Sequence, residues 1–405
     1  MKKLKVRKQD LIVGLDIGTS KICAVLGTVK DGKLNILGSG TVSSEGVTKG
    51  VVTDVRELSS RIKEVIRIAE LDAGKRIKKL WVSIAGSHIE GRDNSGFVRI
   101  ADPEKIIETR DIEEALKQAS SIVLPPEREI IHVLPQDYII DGQGEIKNPL
   151  GMRGVQLQVK VHLITASSGC CRNIEDSVVG AGYELEGFVL QPLASGLSTL
   201  LPQEEDMGVV LLDIGGGTTD LAIFLKEGLR FTKVIAVGGN HLTNDIAVGL
   251  HISREEAEKI KINHGIAAVD YLDKDENLEV ERIAGRGKSK VKRSILARII
   301  QFRIEELFEL VDLELRVSGY KGLISAGAVL TGGCSLLPGI KETAEEKLGL
   351  PARIGYPRIK SPSKLLSPTY ATAVGLLLYG IKRREELALK EKLGVKIKEW
   401  LKDFF

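Results

Sequence analysis

The segments Asp16-Ile17-Gly18-Thr19-Ser20 and Asp213-Ile214-Gly215-Gly216-Gly217-Thr218-Thr219-Asp220 repeat one design 197 residues apart, about half of a 405-residue chain. Glycines and small hydroxyl residues leave backbone N–H groups free to surround phosphate oxygens. An aspartate at a strand end can hold a divalent cation, here through water. A lone Asp-Ile-Gly is equally well read as a turn whose carboxylate satisfies local N–H groups. The repetition favours the chemical reading. Asp16 and Asp213 then position Mg2+ beside the β- and γ-phosphates of a nucleotide, and the two turns clamp the polyphosphate from opposite sides. Gly18, Thr19 and Ser20 supply contacts from one turn, and Gly215, Gly216, Gly217, Thr218 and Thr219 from the other. Lys21 either adds positive charge or points to solvent.

Three weaker features fit around that clamp. Gly332-Gly333 follows an apolar run, and adjacent glycines let backbone approach a flat ring, as an adenine platform requires. Glu258 and Lys261 are three apart on an expected helix and face one side. They are a ribose-hydroxyl pair or a solvated ion pair. Gln191 sits where a strand runs into a helix. Its amide either orients a water for in-line attack on a γ-phosphate or makes a hydrogen bond within the core. The six histidines have no metal-ligand spacing, and no Ser-His-Asp set is present.

Each turn must be held by strands. Leu11–Leu15 and Ile22–Leu26 flank the first, and Val209–Leu212 and Leu221–Leu225 flank the second. Residues 11–40 read as a three-stranded meander. A helix follows with Asp54 as N-cap, Leu58, Ile62, Val65, Ile66 and Ala69 on one face, and Gly74 as its stop. Leu80–Ile84 reads as a buried strand. From Ser87 to Val161 polar strands, a helix over Ile112–Ser120 and the break Pro125-Pro126 suggest a small α+β insert. Val159–Ala166 returns to a buried strand. In the second half Gly238-Gly239 opens a helix, and Ser253 caps Arg254–Ile262 with Glu256 as its capping-box partner. Residues 268–293 are polar and poorly patterned, with Gly285, Arg286, Gly287 and Lys288 read as a mobile loop. Ile295–Val317 reads as a long helix, and Ala371–Leu378 as a short one that closes the core.

Composition is that of an ordinary globular chain, 43% apolar and 28% charged. A net charge of +3 gives no case for nucleic acid. Four cysteines, Cys23, Cys170, Cys171 and Cys334, match neither a metal site nor a disulfide framework. No window is apolar enough for a signal peptide or a membrane span.

The C-terminus carries a separate signal. After a charged stretch, Glu385–Lys392, that reads as a tether, a helix would put Ile397, Trp400, Leu401, Phe404 and Phe405 on one face. Lysines and acids fill the remainder. A last helix packed on the core is the alternative. The aromatic clustering favours an interfacial membrane helix, because only 4% of the chain is aromatic. Each lysine near an anionic surface adds about 1 kcal/mol, and each fully buried apolar side chain roughly 1.5–3 kcal/mol. Partial burial and tail ordering erode that sum, so one copy would bind reversibly and an assembly firmly.

Taken together, the two hairpin turns, Gly238-Gly239, Glu258-Lys261 and Leu330-Thr331-Gly332-Gly333 resemble the actin-like ATPase superfamily. Within it, the insert, Gln191-Pro192-Leu193-Ala194-Ser195 and the amphipathic end are similar to the bacterial cell-division FtsA family. The resemblance implies an α/β fold: two related ribonuclease-H-like domains around a nucleotide cleft, with an α+β insert and a C-terminal amphipathic helix. It divides the chain into a first core domain (1–84 and 164–200), the insert (85–163), a second core domain (201–238 and 303–381), a second peripheral subdomain (239–302) and a tether with membrane helix (382–405). It adds Gly238 and Gly239 to the nucleotide contacts, and strengthens Glu258 and Lys261 as ribose contacts and Gln191 as the water-orienting group.

The family also implies ATP and Mg2+ as ligands, with at most weak ATPase activity, and filaments on the cytoplasmic face of the cell membrane at the septum. The tubulin-like protein FtsZ and later division proteins are the implied partners. The 239–302 subdomain would carry the FtsZ contact; its basic stretch, Arg282–Arg298, suits an acidic tail or a solvated surface. Three rivals share the hairpins. A pilus-assembly adaptor (PilM-like) would lack the Phe404-Phe405 end. A DnaK-type chaperone needs a further substrate domain. A sugar kinase needs a sugar pocket with a catalytic Asp, for which no candidate stands out.

Overall fold

The computed structural model describes residues 11–30, 33–102, 104–226, 228–282, 287–360 and 363–392. The proposed membrane residues Ile397, Trp400, Leu401, Phe404 and Phe405 lie outside them. Strands β1 (Ile12–Ile17), β2 (Lys21–Lys30) and β3 (Lys33–Ser43) form an antiparallel meander. The short pair β4 (Val47–Thr48) and β5 (Val51–Val52) leads into helix α1 (Val55–Ala73). Asp54 caps α1 by accepting from the amides of Arg56 and Glu57, and Gly74 ends it in the left-handed conformation. Its buried face is Leu58, Ile62, Val65, Ile66 and Ala69, the stripe expected from the 3.6-residue period. Strand β6 (Lys79–Ile84) then pairs parallel with β1.

The insert follows. It comprises β7 (Glu90–Arg99), α2 (Thr109–Ser120), β8 (Arg128–Ile140), β9 (Gln143–Ile146) and β10 (Gln156–Ser167), with sheet order β7-β10-β8-β9. Its own small core joins Ala115, Leu116 and Ala119 of α2 to Val133, Leu157, Val159, Val161 and Leu163. The chain returns to the first sheet through α3 (Ser168–Gly180) and β11 (Glu184–Leu190), then α4 (Gln191–Thr199) and α5 (Pro202–Met207).

The second half repeats the first. Strands β12 (Val209–Ile214), β13 (Thr219–Leu225) and β14 (Gly228–Ile235) form another antiparallel meander. Helices α6 (Gly239–Leu250) and α7 (Arg254–His264), the hairpin β15 (Asn277–Glu281) and β16 (Lys288–Lys292), and α8 (Arg293–Val317) follow. Then come β17 (Ala328–Thr331), α9 (Ile340–Leu348), β18 (Ala352–Ile354) and α10 (Ala371–Lys392). The sheets order as β3-β2-β1-β6-β11 and β14-β13-β12-β17-β18: in each, a meander continued by two parallel strands. Every residue of β1 and β12 is buried, so the turn at each strand end is anchored in the middle of a core.

Two expectations need correction. Lys288, expected in a mobile loop, begins β16, and within the poorly patterned stretch 268–293 Leu278, Val280 and Val291 of the β15–β16 hairpin are buried in the second core. Alternation survives there as Leu278-Glu279-Val280 but is too short to stand out among charges. Gly285 and Arg286 lie outside the described residues. Lys288, Lys292 and Arg293 pair with Glu279, Asp275 and Glu276, so part of the basic stretch is already neutralised locally. The closing helix is also longer than expected. The described part of the supposed tether continues α10, with Arg383 buried and Arg384 donating to the Leu11 carbonyl at 3.1 Å. Helix α10 packs on α4 so closely that a Cβ on Gly375 would fall 1.8 Å from the Ala194 carbonyl oxygen.

Candidate nucleotide cleft

The two hairpin turns face each other and nearly touch. A Cβ built on Gly216 would lie 1.9 Å from Ser20 Oγ, and one on Gly217 would lie 2.6 Å from Thr19 Oγ1. Any larger residue at 216 or 217 would fill the gap between the turns. The amides of Gly216 and Gly217 have no hydrogen-bond partner among the described residues, and both residues line a cavity of about 520 Å³. The turn is braced from behind. The amides of Gly239 and Asn240, at the start of α6, donate to the carbonyls of Gly215 and Gly216 at 2.9 and 2.7 Å. Those bonds fix the turn with its free amides toward the cavity, an arrangement suited to an anion.

Asp16, Gly18, Thr19, Ser20, Lys21, Gln191, Asp213, Gly215, Gly216, Gly217, Thr218, Gly239, Glu258, Lys261, Gly332 and Gly333 all line this cavity. Two expected contacts do not. The Thr219 side chain is buried and its hydroxyl donates to the Val237 carbonyl at 2.8 Å. Gly238 packs behind the turn, where a Cβ would meet the Gly215 carbonyl oxygen at 2.7 Å. In an antiparallel pair side chains alternate faces, so Thr219 follows Thr218 but points the other way.

Asp16 and Asp213 are joined by a third buried carboxylate, Asp220, opposite Asp213 in the β12–β13 register. Burial pushes Asp16 up to about 6; Lys21 and a hydrogen bond from Ser83 pull it partly back, and Asp213 adds repulsion. Burial also raises Asp213, against hydrogen bonds from Gln191, Ser195 and Thr372 and the charge of Lys21. Asp220 is raised furthest, by burial and then by Asp213. Its Oδ1 has no hydrogen-bond partner among the described residues. Three buried carboxylates, of which Asp16 and Asp220 are raised further by Asp213 and one has an orphaned oxygen, fit a bound divalent cation. Among the described residues no group of three or more His, Cys, Asp or Glu could hold a metal ion by itself.

The remaining candidates divide by what they touch. Lys21 turns inward: its Nζ donates to the Thr369 carbonyl and lies 3.9 Å from the centre of the Tyr370 ring. Lys261 is a half-sequestered bolt rather than a solvated charge. Its Nζ is 2.6 Å from Glu258 Oε2, 2.8 Å from Thr243 Oγ1 and 3.1 Å from the Gly239 carbonyl oxygen. Gln191 lines the cavity beside Asp213, and its amide works to lower the carboxyl that burial raises. At Gly332 the backbone approaches a carboxylate: a Cβ there would lie 2.5 Å from Asp213 Oδ1. The apolar end of the cavity is lined by Ile262, Leu336, Leu337 and Pro338, which suits a base.

Sequence reasoning missed Asn240, Thr369 and Thr372. Asn240 Oδ1 lies 3.5 Å from Ser20 Oγ across the cleft, and Thr372 Oγ1 donates to Asp213 Oδ2 at 3.2 Å. Asn240 was signalled only by its place after Gly238-Gly239. Thr369 and Thr372 sit in a stretch without motif, brought to the cleft because α10 begins there.

With this geometry in hand, comparison with known proteins is specific. A family model described as "Cell division protein FtsA" matches residues 210–375, and one described as "SHS2 domain inserted in FTSA" matches residues 86–165. Cell division protein FtsA of Pseudomonas aeruginosa is 42% identical over 384 residues, covering 94% of this chain and 92% of its own. That of Escherichia coli K12 is 37% identical, covering 98% and 97%. Among solved structures, a PilM-PilN type IV pilus biogenesis complex aligns with TM-score 0.67 at 20% identity, covering 91% of this chain and 98% of that one. MreB5 of Spiroplasma citri bound to ADP aligns with TM-score 0.57 at 15% identity, covering 95% and 98%. These last two show an actin-like ATPase fold alone. Identity over nearly the whole length, with the insert in place, shows that this chain belongs to the FtsA family of cell-division proteins.

Proposed function

We propose that this protein binds MgATP in the cleft, assembles into actin-like filaments on the cytoplasmic face of the cell membrane at the septum, anchors FtsZ there and recruits later division proteins. The observation that carries the reading is the contact between the two turns, Ser20 against Gly216 and Thr19 against Gly217, around free amides and buried carboxylates.

The turn residues 18–20 and 215–218 would hold the phosphates. Asp16 and Asp213 would hold Mg2+ through water, with Asp220 behind them. A bound Mg2+ supplies charge neutralisation to phosphate oxygens. Glu258 and Lys261 would meet the ribose, and Gly333 with the apolar wall the adenine. Gln191, held by Asp213, would orient a water toward the γ-phosphate.

The five-part division of the chain given above belongs to this reading, with 382–392 moved from the tether to helix α10. So do the 239–302 subdomain as the FtsZ contact, where Val248 and Phe302 are exposed, and residues 394–405 as the membrane anchor. Among the described residues no helix is long and apolar enough to cross a membrane, so attachment would be peripheral. Family membership sets aside the pilus adaptor, since the PilM likeness is one of fold. Co-sedimentation with anionic liposomes, MgATP and FtsZ tests the reading. Pelleting of both proteins that depends on liposomes and on this chain supports it; FtsZ left in the supernatant beside pelleted chain overturns the anchor.

A further inference from the structure

One strand of the insert reaches both sides of the cleft. His132, in β8, is 2% exposed, and its Nε2 accepts the Leu190 amide at 3.1 Å. Leu190 ends β11 and precedes Gln191, the first residue of α4, and among the described residues no side chain caps that helix start. Burial, reinforced by Arg383, pushes His132 down to about 4, so the ring is neutral and can accept. Four residues along, the Gln136 carbonyl accepts from Arg230 Nη1 at 2.9 Å. Arg230 belongs to β14, and its Nε donates to the Leu225 carbonyl of β13 at 3.0 Å, so one guanidinium spans the second hairpin and the insert. An ion pair from Lys226 to Glu145 repeats the link. Strand β13 begins at Thr219, directly after the second phosphate turn, and Thr219 pairs with Ile235 of β14.

We propose that β8 is a tie between the two lobes, with His132 a positioning residue for the Gln191 helix and Arg230, through Gln136, a positioning residue for the second phosphate turn. The proposal rests on the reading of the cleft as an ATP site. A ligand gripped from both sides must bring the lobes together, and a strand bonded to both prepays part of that ordering. Coupling between sites is reciprocal, so nucleotide in the cleft must tighten the seat of the insert. The insert would thereby report occupancy of the cleft on its outer surface.

The test uses the full chain and two measurements, MgATP affinity and amide hydrogen exchange. Arg230→Met removes the donor at one end and His132→Leu the acceptor at the other; His132→Gln keeps an acceptor. Each of the first two should weaken MgATP about three- to tenfold, and His132→Gln should recover most of the loss. The double variant should lose less than the product of the singles, because a tie cut at one end no longer ties. Without nucleotide, Arg230→Met should speed exchange in the peptide containing Leu190, at the far end of the tie. Unchanged exchange there, together with affinities that stay at the wild-type value or losses that simply multiply, would overturn the tie. Should His132→Leu not fold, Arg230→Met carries the test alone. Absence of MgATP binding by the wild type would instead defeat the cleft reading, while the nucleotide-free exchange still decides the tie.

Discussion

Ser83 Oγ donates to Asp16 Oδ1 at 2.9 Å and accepts the Ile17 amide at 3.0 Å, so one hydroxyl from β6 fixes both the carboxylate and the backbone where the first turn begins. That bond does not offset the burial of Asp16, whose carboxyl stays near 6 against an ordinary 3.8. A cation bound beside Asp16 would offset that cost of burying its charge.

The pH dependence follows with a definite sign. Between pH 4 and 6 an unfolded chain has ionised Asp16 while the folded nucleotide-free protein retains the proton. Folding stability from this group is therefore lost as pH rises through that window, by about 2–3 kcal/mol. Asp16→Asn should raise the Tm of nucleotide-free protein at pH 7, with an advantage over wild type that shrinks toward zero near pH 4. Thermal unfolding across pH 4–8 measures it; a variant less stable than wild type at pH 7 would count against the buried-charge account.

At the second carboxylate, Asp213→Ala should abolish the magnesium-dependent part of ATP binding, as EDTA should in the wild type. Thr372→Val removes one hydrogen bond to Asp213 and should cost less, about 1 kcal/mol or a fivefold loss in affinity. Titration calorimetry with and without Mg2+ separates the two. Equal ATP affinity in Asp213→Ala and wild type, both with Mg2+, would remove the clamp.

The gap between the turns predicts a second-site rescue. Gly216→Ala places a methyl against Ser20 and should weaken MgATP at least tenfold, about 1.4 kcal/mol. Adding Ser20→Gly should recover part of that loss, because it removes the atom in conflict. Binding measured on the double variant decides this, and no recovery would mean that the turns do not confront each other in solution.

At the C-terminus, deletion of 394–405 should release the protein from anionic liposomes without shifting its Tm. Trp400→Glu should weaken flotation more than Lys396→Ala, since apolar burial outweighs a single lysine at about 1 kcal/mol. The opposite order would make the attachment chiefly electrostatic.

Local pattern accounts for much of what was legible. Asp54 and Gly74 bounded α1 because caps are read from single residues, and the buried runs beside Asp16 and Asp213 announced β1 and β12. Repetition of a short glycine turn was enough to suggest two related halves, because few other roles need free amides and an aspartate at the same offset. What the chain alone left undecided depends on contacts between distant residues. Whether Lys21 faces solvent turned on Tyr370 and the Thr369 carbonyl, 348 positions away. The role of Glu258 and Lys261 turned on Thr243 and the start of α6. Thr219 left the site because the sheet's alternation aimed it at Val237, and Thr372 joined it because α10 begins beside Asp213. Linear spacing determined which groups could come together; only packing of the two sheets, with α10 and the insert against them, decided which ones line the cleft.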